Sequence, residues 1–211
     1  MNDILVIVAT ELEAQKLPKL PGMRVRVSGI GAVNAALETQ LGILERKPDL
    51  VSSLGIAGAY PNCGANIGDV VVSSEMIYAG LGAMDGTRFL NLQELGFELL
   101  QKTFNAIKAA PRASDFARFT GAKLGAILTL ETVTGSDARA VELESLFPNA
   151  IAEGMEGAGI AHAALKYGIP SLEIRGISNM VGARDRLGWR IGAALEALHH
   201  TLETGWTVLS N

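Results

Sequence analysis

Apolar positions in this chain come in short unbroken runs and in helical spacings, separated by polar and glycine-rich breaks. Ile4 to Ala9 is continuously apolar, the mark of a strand buried on both faces. Thr10-Glu11-Leu12-Glu13 begins a short helix that Pro18 stops, and Met23 to Ser28 reads as a second strand. Gly29-Ile30-Gly31 turns into a helix from about Ala32 to Lys47, with Leu37, Leu41 and Leu44 on one face. Pro48-Asp49 resets the chain for a strand from Leu50 to Gly55, ended by Gly55-Ile56-Ala57-Gly58, and another strand covers Asp69 to Ser74.

Gly80 to Arg88 reads as a mobile, glycine-rich loop, Leu92 to Ile107 as an amphipathic helix, and Ala109 to Arg118 as a polar connection carrying Pro111. Leu124 to Thr129 is a strand, Asp137 to Phe147 a helix and Ala150 to Ala152 a short strand. A last helix runs from about Arg190 to Trp206. Strands alternating with helices predict a mostly parallel, twisted sheet covered on both faces, a three-layer α/β/α single domain over 1–211.

The stretch from Glu153 to Arg186 holds the chemistry. Glu156 opens a helix otherwise built from Gly157, Ala158, Gly159, Ala161, Ala163 and Ala164. Glycine costs about 1 kcal/mol in a helix interior, so two of them imply close approach to a sheet. A carboxylate in the first turn suits the helix dipole, and a surface charge there would need nothing more. Leu172 to Ser178 reads as a strand, with Leu172, Ile174 and Gly176 on one face, and Ser178-Asn179 ends it. Ligands of open α/β sheets bind beyond the carboxyl ends of strands, although Ser-Asn is also ordinary turn chemistry. Glu173 and Arg175 share a strand face and read as a structural pair.

The 211 residues are 48% hydrophobic and 19% charged, enough for a sizeable core, and the net charge of -4 offers no basic field for nucleic acid. Cys63 is the single cysteine, which excludes an internal disulfide framework and a cysteine-based zinc site. The three histidines, His162, His199 and His200, make no metal-ligand spacing. No metal and no cofactor are expected. No apolar run has the length of a membrane span, and Asp3 and Glu11 do not suit a signal peptide. The expectation is a cytoplasmic enzyme or binding protein. Gly29-x-Gly31 follows a strand and precedes a helix, but Asn34 replaces the third glycine of a dinucleotide fingerprint. That loop can still present backbone amides to a ligand.

Ala9-Thr10-Glu11-Leu12-Glu13, Ser28-Gly29-Ile30-Gly31, Gly55-Ile56-Ala57-Gly58, Gly68-Asp69-Val70-Val71-Val72, Met155-Glu156 and Ser178-Asn179 occur in that order along most of the chain. Together they resemble the nucleoside phosphorylase and nucleosidase superfamily. Within it, the run from His162 to Arg186 with Trp189-Arg190 is similar to the futalosine hydrolases of menaquinone biosynthesis. The resemblance implies an N-glycosyl hydrolase that releases hypoxanthine from a purine nucleoside, with water as co-substrate. It implies that Glu156 holds the ribose 2′- and 3′-hydroxyls while Met155 packs on the sugar. Glu13 would activate the attacking water. Ala57, Gly58, Val133 and Thr134 would line the base pocket with backbone groups. Asn179 would read the purine edge with Ser178 beside it.

The adenine-releasing nucleosidases of that superfamily carry Asp at the position of Asn179. An amide offers a donor and an acceptor at once, which suits a 6-oxo group and a protonated N7. The hexameric phosphorylases place an Arg and a Ser for phosphate where this chain has Ser53 and Ile56, which implies hydrolysis. Futalosine carries a benzoate on its 5′ side, and arginine matches a carboxylate. Arg184, Arg186, Arg190 and Arg88 are the candidates. The family also implies a homodimer. The competing readings are an adenine-releasing methylthioadenosine/adenosylhomocysteine nucleosidase, a purine nucleoside phosphorylase and a non-catalytic nucleoside-binding paralogue. The presence of both Glu13 and Glu156 speaks against the last, because binding alone needs no water activator.

Overall fold

Alternation along the first strand divides the core in two. Ile4, Val6 and Val8 of β1 (Ile4–Val8) pack in one cluster, and Leu5 and Ile7 pack in another. The computed structural model describes residues 2–100 and 102–211, and of Arg186 only the backbone. On one side of the sheet lie α4 (Arg112–Thr120) and α7 (Ile191–Ser210), which supply Phe116, Leu198, Leu202 and Trp206 to the first cluster. On the other side α2 (Ala32–Glu45) and α6 (Gly157–Lys166) supply Ala35, Ile43, Ile160 and Ala164 to the second. The three-layer α/β/α expectation holds.

The sheet strands are β1, β2 (Met23–Val27), β3 (Leu50–Ala59), β4 (Val70–Tyr78), β7 (Ala106–Lys108), β8 (Lys123–Thr129), β9 (Ala150–Gly154) and β10 (Ser171–Met180). Their order is β10-β4-β8-β9-β3-β1-β2, with β7 on β4. β1–β2, β1–β3, β3–β10, β4–β8 and β8–β9 are parallel, while β4–β10, β3–β9 and β4–β7 are antiparallel. Because β10 pairs with both β3 and β4, five strands close into a ring.

Several segments differ from the sequence expectation. β3 does not stop at Gly55 but runs on to Ala59, and β4 extends to Tyr78. The expected loop from Gly80 is a hairpin of β5 (Gly82–Asp85) and β6 (Arg88–Asn91), turned at Gly86 with φ 61°. Asp85-Gly86 is a hairpin signal. The helix expected from Leu92 ends after one turn as α3 (Leu92–Leu95), because Gly96 adopts the left-handed conformation at its C-cap. The expected polar connection contains α4, which Pro111 begins at the N-cap. Leu37, Leu41 and Leu44 face away from the core, where α2 buries Ala35, Thr39, Gly42 and Ile43 instead.

Candidate active site

Three local features bring the polar residues together. The first is the capping box at α1 (Glu11–Lys16). The Thr10 hydroxyl accepts from the Glu13 amide, and Glu13 Oε2 accepts from the Thr10 amide and hydroxyl, both at 2.9 Å. The same carboxylate turns its Oε1 to the Ile56 amide of β3 at 3.2 Å, so Glu13 is 5% exposed. Space for this contact comes from Gly55, whose φ is 152°. A Cβ there would overlap Glu13 Oε1 and crowd Arg175 Nη1.

The second feature is the start of α6. Glu156 is the N-cap residue rather than a first-turn residue, and its side chain does not cap its own helix. Oε1 accepts from the Gly31 amide at 3.0 Å and Oε2 from the Met155 amide at 3.3 Å. Gly31 is the N-cap of α2, so the Gly29-Ile30-Gly31 turn presents its amide to a protein carboxylate at the positive end of a helix. The small residues of α6 admit neighbours, though not the sheet backbone. A Cβ on Gly159 would overlap the Ala32 carbonyl of α2, and one on Gly157 would overlap the Glu173 carboxylate.

The third feature is a bulge in β10. Ile177 pairs with Ala57 and Asn179 with Gly58, so Ser178 is the extra residue. Bulges re-aim side chains. Here Asn179 Nδ2 would lie 3.0 Å from a Cβ on Gly58. Ser178 fixes the amide, its hydroxyl donating to Asn179 Oδ1 at 2.8 Å and to the Ala57 carbonyl at 3.2 Å.

These features frame a cavity of about 330 Å³. Glu13, Ala57, Gly58, Val133, Thr134, Met155, Glu156, Ser178, Asn179 and Arg184 all line it. Arg186 was a further candidate, and its side chain lies outside the described residues. Arg88 sits on the β5–β6 hairpin, ion-paired with Glu94. Arg190 donates to the Leu187 carbonyl at 2.9 Å. Arg184 remains at the cavity wall, its guanidinium 5.5 Å from the centre of the Trp189 ring, itself a wall residue.

Two buried groups at this wall have roles that the sequence reading did not assign. Arg175 is the structural partner of Glu173, with Nε donating to Glu173 Oε1 at 2.7 Å. It also lines the cavity, 3.6 Å from Glu156 Oε2, and donates to Ser53 Oγ at 2.8 Å. Burial works against its charge, but Glu173, Glu156 and Glu13 outweigh it and raise its pKa. Burial raises the Glu173 carboxyl while Arg175 pulls it back. The second group is Glu153 of β9. Its Oε1 accepts from the Thr134 amide at 2.7 Å, and its Oε2 from the Thr134 hydroxyl at 2.6 Å and the Tyr60 phenol at 2.7 Å. The Thr134 amide, expected to face a base, is thus bonded to a side chain. The available signals were a lone carboxylate in an otherwise apolar β9 and the alternation of Ser171, Glu173 and Arg175 along β10.

Among the described residues, no group of three or more His, Cys, Asp or Glu is arranged to hold a metal ion. Burial, then Lys166, lowers the His162 pKa, and Cys63 Sγ accepts from the Ala65 amide. No described helix is long and apolar enough to cross a membrane.

A closed ring of strands with buried carboxylates at the carboxyl ends of β1 and β9 matches a known class. Residues 10–203 fit the model of the phosphorylase superfamily. The chain is 43% identical over 189 residues to futalosine hydrolase of Streptomyces coelicolor, covering 86% of this chain and 78% of the relative. It is 41% identical over 178 residues to futalosine hydrolase of Acidothermus cellulolyticus, covering 82% and 71%. The solved futalosine hydrolase of Helicobacter pylori superposes with a TM-score of 0.79 at 20% identity, over 97% of each chain, a likeness of fold. This chain belongs to the phosphorylase superfamily and, within it, to the futalosine hydrolase family.

Proposed function

We propose that this protein hydrolyses the N-glycosidic bond of futalosine, releasing hypoxanthine and dehypoxanthine futalosine, a step of menaquinone biosynthesis. The observation that carries the reading is the convergence of two buried carboxylates, Glu13 and Glu156, on a cavity whose wall includes Asn179. N-glycosidic cleavage passes through an oxocarbenium-like sugar, as glycoside hydrolysis does. Glu156 holds the ribose 2′- and 3′-hydroxyls, with Met155 against the sugar, and its charge stabilises the cationic ring. Glu13 takes a proton from water as the water oxygen bonds to C1′. The C1′–N9 electron pair leaves with the base, which takes a proton from solvent at N7 while Glu13 returns its proton to solvent. Asn179, held by Ser178, accepts from N7–H and donates to the 6-oxo group. Arg175 sets a positive charge behind the sugar site, 3.6 Å from Glu156 Oε2. Ala57, Gly58, Val133 and Thr134 form the walls around the base.

Water, rather than phosphate, is the nucleophile. A phosphate dianion needs cations or several donors. Ser53 is bonded to Arg175, and the Ile56 amide is bonded to Glu13. Arg184, exposed over Trp189 at the cavity wall, is the residue assigned to the benzoate. The enzyme is a single-domain cytoplasmic protein acting on a small soluble nucleoside. Its partner is a second copy of itself. Val33, Leu37, Leu41 and Leu44 form an exposed apolar stripe along α2 at helical spacing from Ile30, which, like exposed Leu12, is a wall residue of the cavity. A homodimer through this stripe covers the apolar face and lets the neighbour close the 5′ end.

The test is to incubate the protein with futalosine, with and without phosphate, and to identify base and sugar. Hypoxanthine and a free-sugar product at equal rates in both are expected. A sugar 1-phosphate would overturn hydrolysis, and no cleavage of futalosine would overturn the reading.

A further inference from the structure

Two polar side chains flank Gly58 in one row of the sheet. Asn179 of β10 pairs with Gly58 of β3 on one side, and Glu153 of β9 pairs with it on the other. Paired residues of neighbouring strands present side chains to the same face. The row spans two strand spacings, roughly 9–10 Å, and the glycine between leaves a flat gap. Both residues line the cavity.

The Glu153 carboxylate is 5% exposed and carries three donors, the Thr134 amide, the Thr134 hydroxyl and the Tyr60 phenol. A carboxylate offers about four acceptor sites, so one remains at Oε1. Burial, and then Glu153 itself, push the Tyr60 phenol well up, which keeps it a donor. The three donors fix the carboxylate and leave it able only to accept. An aromatic base seated over Gly58 meets an amide at one edge and an acceptor-only group at the other.

We infer that Glu153 is a specificity-determining residue that reads N1–H of a 6-oxopurine, on the far side of the 6-oxo group from the N7 read by Asn179. The inference rests on the hypoxanthine-releasing reading above. A 6-oxopurine carries a hydrogen on N1, which donates to Glu153 Oε1. Adenine carries none, so its N1 lone pair faces a carboxylate lone pair. The nearby backbone donor, the Thr134 amide, is already held by Glu153. An acceptor set against an acceptor leaves a buried polar pair unmatched, and sites built on such hydrogen bonds discriminate strongly.

The experiment compares wild type and Glu153→Gln on futalosine and its 6-amino counterpart, aminofutalosine, with thermal unfolding as a check of folding. Wild type should favour the 6-oxo substrate by at least about 100-fold in kcat/KM. Glu153→Gln should reduce that ratio at least about tenfold, because a neutral amide oxygen held at the Oε1 position by the Thr134 amide accepts from N1–H more weakly than a carboxylate does. A second measurement uses wild type alone, with hypoxanthine and 1-methylhypoxanthine as competitive inhibitors of futalosine cleavage. The methylated base, lacking N1–H, should inhibit at least about tenfold more weakly. An unchanged substrate ratio in a folded variant, or equal inhibition by the two bases, overturns the role of Glu153. A wild type that cleaves neither substrate overturns the reading on which it rests.

Discussion

The Glu13 carboxylate closes the capping box at Thr10 and also accepts the Ile56 amide, so two elements fix it at the cavity wall. Glu13→Gln preserves size and most acceptor capacity but cannot take a proton from water. Turnover of futalosine should fall by about 10²- to 10⁴-fold, while the dissociation constant measured by calorimetry stays near wild type. Turnover within about fivefold of wild type would remove Glu13 from the water-activating role. Glu156 and Asn179 stood out in the sequence, one opening a helix of glycine and alanine and the other ending an apolar strand, whereas Glu13 came from the family resemblance. Glu153 did not stand out, because its role depends on Thr134 and Tyr60, which approach it from elsewhere in the chain. Nor did the second role of Arg175, whose contacts with Ser53 and Glu156 join three elements.

Helix α6 delivers Glu156, and its fit against α2 depends on Gly159. Replacing Gly159 by Ala raises helix propensity by about 1 kcal/mol. The new methyl group would overlap the Ala32 carbonyl, a backbone atom that cannot rotate away. Overpacking costs about 1–3 kcal/mol, so packing outweighs propensity. Urea denaturation of Gly159→Ala should give a net loss of roughly 1 kcal/mol, and equal or greater stability would refute the close approach. The glycines announced an intimate contact, but the partner was a helix and a buried carboxylate rather than the sheet backbone. Strand periodicity identified the core of β1, β3, β8 and β10. Periodicity alone misjudged residues 80–118, where Gly86, Gly96 and Pro111 punctuate a hairpin, a one-turn helix and the start of α4.

Across the molecule, the apolar stripe of α2 runs from the cavity rim at Ile30 to Leu44. With Leu37 and Leu41 both changed to Glu, two charges enter the centre of the proposed contact. Light scattering should give a dimer for wild type and a monomer for the double variant at the same concentration. The variant should also lose about tenfold in kcat/KM on futalosine, about 1.4 kcal/mol of closing contact. A monomeric wild type, or a variant that stays dimeric, would refute this interface.

The order of residues was enough to specify alternating strands and helices and the two-sided burial of β1, while most cavity side chains were implied by the family motifs it carries. The first two are local properties, set by apolar period, capping chemistry and glycine placement, and they can be read without knowing what lies opposite. Ring closure through β10, the bulge that turns Asn179 beside Gly58, and the capture of the Thr134 amide by Glu153 arise between distant segments. Each depends on which donor meets which acceptor once the chain has folded, and that pairing exists only in three dimensions.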